Sequence, residues 1–325
     1  MLLHKPKADP ALLERITALG SLMRETPVVR LQHERLELYA KLEFQNPFGS
    51  LKDRAAFGVL QAAIERGDIR SGTTLVESSS GNFASALASF CRLLGLRFIP
   101  VIDPSIPHTY ETFLRETCET VIKVDQRDDN GSYLKTRLRK VEELCAQLPH
   151  AYWTNQYANP DNPEAHYRYT GAEICKVFPK LDYVFIGVSS SGTLAGISRR
   201  MKENYPHIRV IAVDAEGSVI FGGPAKKRHI PGIGASICPP QLKEARFDEV
   251  IVIPERETVA GCHELLYEHG LFVGGSTGTV YAAIQRFART LSAPEPPTAL
   301  FLCADRGTAY LDTVFNPAWV EQHIR

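Results

Sequence analysis

The sequence predicts an α/β protein with parallel-rich twisted sheets flanked by helices and divided into two lobes. Short apolar runs alternate with helical periodicities along all 325 residues, the pattern of strand–helix units that build parallel sheets. Four strand-to-helix connections are crowded with glycine and hydroxyl residues, and ligands of such sheets bind where the chain leaves the carboxyl ends of the strands. The length exceeds what one hydrophobic core usually organises, so two lobes are expected.

In chain order, strands are expected at Leu38–Leu42, Thr74–Glu77, Arg97–Ile102, Thr120–Val124, Tyr183–Ile186, Val210–Val213, Glu249–Ile253 and Ala299–Leu302. Helical patterns occupy Asp53–Arg66, Gly81–Leu94, Thr109–Glu116, Gly131–Gln147, Pro163–Val177, Gly192–Asn204, Arg256–Gly270 and Gly278–Leu291. The proline-rich piece from Ser292 to Pro297 reads as a surface loop, and no internal repeat or low-complexity tract interrupts the series.

Composition narrows the classes of function. Thirty-seven basic and 37 acidic residues leave no net charge to favour nucleic acid or an anionic membrane. Seven scattered cysteines without a C-x-x-C pair read as reduced thiols of a cytoplasmic protein, not as a disulfide framework or a zinc site. No apolar stretch reaches membrane length, and the N-terminus lacks a leader pattern. Ten dispersed histidines show no metal-ligand spacing, and His166 reads as structural.

Chemistry concentrates in the loops. Asn46-Pro47-Phe48-Gly49-Ser50-Leu51-Lys52-Asp53-Arg54 sets Lys52 at a helix start. There the positive end of the helix dipole and the nearby Arg54 are expected to oppose its charge. An amine with a depressed pKa acts as nucleophile and base near neutral pH, although most lysines at helix starts are simply solvated. Glu77-Ser78-Ser79-Ser80-Gly81-Asn82 has the makings of a carboxylate or phosphate site. A cluster of ordinary caps has the same composition, but one cap needs one such residue. Gly187-Val188-Ser189-Ser190-Ser191-Gly192-Thr193 offers hydroxyls, amides and a dipole end at one point. It lacks both the Walker lysine and the dinucleotide glycine spacing, so a monophosphate is the better fit. In Gly274-Gly275-Ser276-Thr277-Gly278, Ser276 can hold a heteroatom by a neutral hydrogen bond. Pro231-Gly232-Ile233-Gly234-Ala235 is too short to be diagnostic.

A reactive lysine, a phosphate cradle and a carboxylate loop together describe pyridoxal phosphate acting on an amino acid. The chain resembles the fold-type II pyridoxal-phosphate enzymes, tryptophan synthase β-like in architecture, and within them the cysteine synthase family. Matching pieces are Thr26-Pro27-Val28-Val29-Arg30-Leu31, Lys41-Leu42-Glu43-Phe44, the Lys52 run, Ser80-Gly81-Asn82, Asn159-Pro160-Asp161-Asn162-Pro163, Thr170-Gly171-Ala172-Glu173-Ile174 and the later glycine loops. The resemblance implies that Lys52 forms the Schiff base with the cofactor and then shuttles the α-proton. It implies that Asn82 bonds the ring hydroxyl oxygen, that Gly187 to Thr193 bind the cofactor phosphate and that Ser276 meets the pyridine nitrogen. Ser79, Ser80 and Gln156 would hold the substrate carboxylate. It also implies a homodimer and a smaller lobe at about 47–152, the larger combining 1–46 with 153–325.

Departures from that family bear on the substrate. Phe83 stands where threonine usually follows Ser-Gly-Asn. The phosphate loop, commonly Gly-Thr-Gly-Gly-Thr, reads Ser189-Ser190-Ser191-Gly192-Thr193. The serines of this loop and the Tyr157 phenol add hydroxyls where relatives have glycine and a phenyl ring, and Ser190 and Tyr157 are expected at the substrate. With Gly131-Ser132-Tyr133-Leu134 and the run from Ile230 to Ser236, these features resemble the branch that joins O-phospho-L-serine to L-glutamate. That branch supplies 2,3-diaminopropionate for carboxylate siderophores. A substrate phosphate needs a cation, and Arg228 is the candidate, although Lys226-Lys227-Arg228 also reads as a solvated run. The rival readings are a sulfhydrylase making cysteine from O-acetylserine or O-phosphoserine, and a silent homologue acting as a regulatory binding protein.

Overall fold

The computed structural model describes residues 8–128, 131–292 and 295–324; Ala293 and Pro294 of the proline-rich connection lie outside the described residues. Helix α1 (Pro10–Leu19) starts under Asp9, whose carboxylate accepts from the amides of Ala11 and Leu12. Strands β1 (Val28–Leu31) and β2 (Glu37–Lys41) follow, then α2 (Lys52–Arg66), β3 (Thr74–Ser78), α3 (Asn82–Leu94), β4 (Arg97–Ile102), α4 (His108–Thr117), β5 (Ile122–Lys123), α5 (Leu134–Gln147) and β6 (Ala151–Trp153). The remainder runs α6 (Asp161–Ala165), a π-helical segment (His166–Gly171), α7 (Ala172–Val177), β7 (Tyr183–Gly187), α8 (Gly192–Asn204), β8 (Arg209–Ala215), β9 (Glu249–Ile253), α9 (Glu255–His269), α10 (Gly275–Ala288), β10 (Thr298–Leu302) and α11 (Pro317–His323).

Two sheets result, a six-stranded one in the order β1-β2-β10-β7-β8-β9 and a four-stranded one in the order β5-β4-β3-β6. Every pairing is parallel except β1 with β2. The chain is therefore the helix-flanked α/β protein with parallel sheets that the alternation of patterns predicts. Because successive strand residues point to opposite faces, each sheet feeds two apolar layers. In the larger sheet Phe185, Ile211 and Phe301 pack with Leu265, Tyr281 and Phe287 of α9 and α10. Val184, Ile186 and Val210 turn the other way, onto Leu194, Ile197 and Met201 of α8. In the smaller sheet Leu75 and Phe98 join α1, α2 and α3, while Val76, Ile99 and Val101 meet Val141 and Leu144 of α5.

The elements differ from expectation where tertiary contacts outweigh pattern. β1 and β6 have only four and three residues, too short for periodicity to show, and exist through pairing with β2 and β3. The expected helix Pro163–Val177 is interrupted by the π-helical segment, where Gly171 packs against Arg200 and Gly196 of α8 packs against the Pro163 carbonyl. α5 begins at Leu134 and not at Gly131, whose φ is 71°. α10 begins three residues before the expected Gly278, so Ser276 projects from its first turn. Helix α1 falls within the range expected for the larger lobe, yet Leu12 and Ile16 bury against the helices of the smaller sheet.

Candidate active site

Lys52 opens α2, its backbone N–H donating to Ser50 Oγ at 3.2 Å. Arg54, expected to repel it, turns away. Its guanidinium binds Glu43 at 3.2 Å and grips both oxygens of Glu173. Lys41 completes this buried cluster, 2.6 Å from both Glu173 Oε2 and Thr26 Oγ1. Burial alone would raise Glu43, but Arg54 and Lys41 hold it below the usual carboxylate range. The cluster joins the chain before β1, β2, α2 and α7, and so pins the start of the Lys52 helix. Burial, not Arg54, lowers the Lys52 pKa, and Asp305 partly opposes the shift.

Lys52 faces a cleft of about 630 Å³ between the carboxyl ends of the two sheets. Ser79, Ser80, Asn82, Phe83, Gln156, Tyr157, Ser189, Arg228, Ser276 and Asp305 line the same cleft. Phe83 is only 2% exposed, so most of its ring serves the apolar layer under α3. Ser79 Oγ accepts from Ala84 N at 3.2 Å, capping the first turn of α3. Ser80 Oγ is held between Arg137 Nη1 at 2.8 Å and Asp103 Oδ2 at 3.3 Å. Gln156 Nε2 donates to the Ser78 carbonyl at 3.2 Å, which draws the segment after β6 against the end of β3.

The loop from Gly187 to Thr193 lies at the end of β7. Ser189 lines the cleft and donates to the Gly234 carbonyl at 3.1 Å, joining two glycine loops. Ser190, expected at the substrate, is 4% exposed and does not line the cleft, because the chain has already turned inward there. Ser191 takes a left-handed backbone (φ 67°) at a position where the family pattern carries glycine. Its Oγ is buried without a hydrogen-bond partner, and no side chain caps α8. Gly192 permits close approach, since a Cβ there would sit 2.3 Å from Asn162 Oδ1. Asn162 in turn donates to the Gln156 carbonyl at 2.7 Å. Thr193 Oγ1 lies 3.2 Å from His166 Nε2, and His166 Nδ1 lies 3.1 Å from Thr170 Oγ1. His166 is thus a support beneath the loop, and burial lowers its pKa to about 3.

Arg228 does not share the fate of its neighbours. All three line the cleft, but Lys226 and Lys227 are exposed, whereas Arg228 is half-buried and donates to the Gly217 carbonyl at 2.8 Å. Burial lowers its pKa, with Asp214 and Glu255 opposing. A second cation, Arg137, was not visible in the sequence. It lies in the basic stretch of α5 and is ion-paired with Asp103 at 3.1 Å. Burial raises the Tyr157 phenol, and Arg137 and Arg228 both pull it down. Tyr133 lines the cleft under the Arg127 guanidinium, which sits 4.6 Å above its ring. Asp305 follows β10, and an acid just past the carboxyl end of a buried strand is the signal that could have found it.

The chain matches the family model for pyridoxal-phosphate dependent enzymes over residues 20–304 and belongs to that family. It is therefore a pyridoxal-phosphate enzyme of the β-substituted alanine synthase type, with the fold-type II architecture. Among curated proteins it is 42% identical, over 91% of its length and 88% of the relative, to the N-(2-amino-2-carboxyethyl)-L-glutamate synthase of Ralstonia nicotianae. Among solved structures it superposes on an O-acetylserine dependent cystathionine β-synthase from Helicobacter pylori with a TM-score of 0.84 and 30% identity, covering 91% and 97% of the two chains. An O-ureido-L-serine synthase matches with a TM-score of 0.83 and 28% identity over 96% and 99%. The residues present suit the cofactor: a buried, unpartnered Ser191 hydroxyl at an uncapped helix start, two residues after the cleft-lining Ser189, matches a phosphate, and a desolvated Lys52 amine faces the cleft.

Proposed function

We propose that this chain joins O-phospho-L-serine to L-glutamate by β-replacement, giving N-(2-amino-2-carboxyethyl)-L-glutamate and phosphate. The observation that carries the reading is the pair Arg137 and Arg228, both lining the Lys52 cleft and both acting on the Tyr157 phenol. A phosphorylated serine and a dicarboxylic amine bring more negative charge than O-acetylserine and sulfide, and arginines sheltered from bulk water bind such groups strongly. Similarity to the Ralstonia synthase supports the same reading.

When bound, pyridoxal phosphate supplies an electron sink for negative charge at the substrate Cα. In this proposal Lys52 holds the cofactor and then takes the α-proton, which burial favours by keeping more of its amine neutral near pH 7. Asn82 meets the ring oxygen, and Ser276 meets the ring nitrogen by a neutral hydrogen bond. That bond leaves the ring less electron-withdrawing than a carboxylate partner would, which suits elimination more than transamination. Ser189, Ser191, Thr193 and the amides of the α8 start hold the phosphate. Ser79, Ser80 and Gln156 orient the substrate carboxylate, and Arg228 with Tyr157 receives the leaving phosphate. Closure of a smaller lobe, at 47–152 but with α1 riding on it, would exclude water from the cleft. A homodimer in the cytoplasm, serving 2,3-diaminopropionate formation for a siderophore, completes the proposal; all seven cysteines are free, and no helix among the described residues is long and apolar enough to cross a membrane.

The test supplies the holoenzyme with O-phosphoserine and either glutamate or sulfide, measuring phosphate release and product mass. The expected result is the glutamate adduct, with the KM for O-phosphoserine rising roughly tenfold or more in Arg228→Gln. Rapid cysteine formation without a glutamate adduct overturns the proposal.

A further inference from the structure

Asp305 ties three walls of the cleft together through its backbone. It forms an antiparallel bridge with Ser50, two residues before Lys52. Its carbonyl accepts from Gly274 N at 3.1 Å, two residues before Ser276. Its side chain then reaches across to the smaller sheet, where Oδ2 accepts from Asn82 Nδ2 at 2.7 Å. The Tyr310 hydroxyl donates to the same oxygen at 3.0 Å. Asn82 is also held at its other end, Oδ1 accepting from the Tyr110 hydroxyl at 2.5 Å. With an acceptor at one end and a donor at the other, the Asn82 amide has one satisfied orientation, and one Nδ2 hydrogen is left over.

Packing alone does not account for an acid here. Asp305 is 2% exposed, and its Oδ1 is buried without a hydrogen-bond partner among the described residues. A Cβ on Gly274 would stand 2.1 Å from that oxygen, so the neighbouring chain is shaped to admit the carboxyl group. A bare buried oxygen destabilises a fold, and an apolar side chain of similar size would avoid that cost.

We propose that Asp305 is a positioning residue that holds Asn82 so that its remaining Nδ2 hydrogen meets the ring oxygen of bound pyridoxal phosphate, in register with Lys52 and Ser276. The proposal rests on the role given to Asn82 above. Burial raises the Asp305 pKa, while Asn82, Tyr310 and Lys52 oppose the shift. Because Oδ2 already accepts two hydrogens, a proton taken up by Asp305 sits on Oδ1. The bond to Asn82 therefore survives in either charge state.

The test titrates apoprotein with pyridoxal phosphate and reads its affinity, without substrate, in Asn82→Ala, Asp305→Ala, their double variant and Asp305→Asn. Each alanine variant is expected to weaken binding roughly tenfold. The double variant should be no weaker than Asn82→Ala alone, since Asp305 acts through Asn82. Asp305→Asn should stay within about threefold of the starting protein, because its amide oxygen still accepts from Asn82. Multiplying losses in the double variant, or an Asp305→Asn variant as weak as Asp305→Ala, overturn the proposal. Should Asp305→Ala not fold, the isosteric Asp305→Asn still decides, retention supporting the proposal and a tenfold loss refuting it. Unchanged affinity in Asn82→Ala overturns the Asn82 assignment itself. Weakening in Asn82→Ala with none in Asp305→Ala overturns only the role of Asp305.

Discussion

Replacing His166 with glutamine probes how the phosphate-side loop is supported, through the pH dependence of stability. The imidazole is buried, bonded to Thr170 and Thr193, and its pKa falls to about 3 from an ordinary 6.5, chiefly through burial and next through the Lys52 charge. The folded protein thus keeps His166 neutral where the unfolded chain protonates it. Its contribution is fully present above pH 6.5 and disappears as pH falls toward 3. Each pH unit in that window costs about 1.4 kcal/mol, so stability drops by about 2 kcal/mol between pH 6.5 and 5 and by about 5 kcal/mol in all. Urea unfolding of the apoprotein at pH 7, 6 and 5 measures it, and His166→Gln should flatten the dependence by close to one proton. Carboxylates titrate alike in both proteins and cancel in the comparison. Equal losses of stability in the two proteins would refute a neutral, buried His166.

Lys52→Ala should abolish covalent capture of the cofactor, seen as absence of a borohydride-fixed adduct by mass, and lower turnover by roughly a thousandfold or more. Arg54→Met leaves Glu43 and Glu173 facing each other with Lys41 as their remaining buried cation. It should cost about 3–5 kcal/mol in denaturant unfolding, and a loss under about 1 kcal/mol would show the cluster to be dispensable. Ser191→Gly relieves a left-handed backbone, so the apoprotein should gain about 1 kcal/mol by thermal or chemical unfolding. The same change should weaken pyridoxal phosphate roughly fivefold if the proposal is right that the Ser191 hydroxyl holds the phosphate.

Period and punctuation are local properties, and they were legible. The alternation of apolar runs and helical patterns determined the α/β class and the parallel sheets, and the loops around Lys52, Asn82, Ser189 and Ser276 marked residues that line one cleft. Strands as short as β1 and β6 were not legible, because three or four residues carry no measurable period and form only through their neighbours. The cause of the Lys52 pKa shift was likewise hidden. The sequence puts Arg54 two residues away, but only the buried pairing with Glu43 and Glu173 shows that its charge is spent elsewhere. Arg228 illustrates the same divide, since three consecutive cations look alike until burial separates one from the other two. By itself the sequence determined the fold class and, through its resemblance to a family, the cofactor, and it marked loops that line the cleft. Tertiary structure decided which charges are paired, which hydroxyls are buried bare, that Arg137 and Asp305 line that cleft and that Tyr110 braces Asn82 beside it. Such contacts join residues up to 223 positions apart, and distance in space between them is not written in any local pattern.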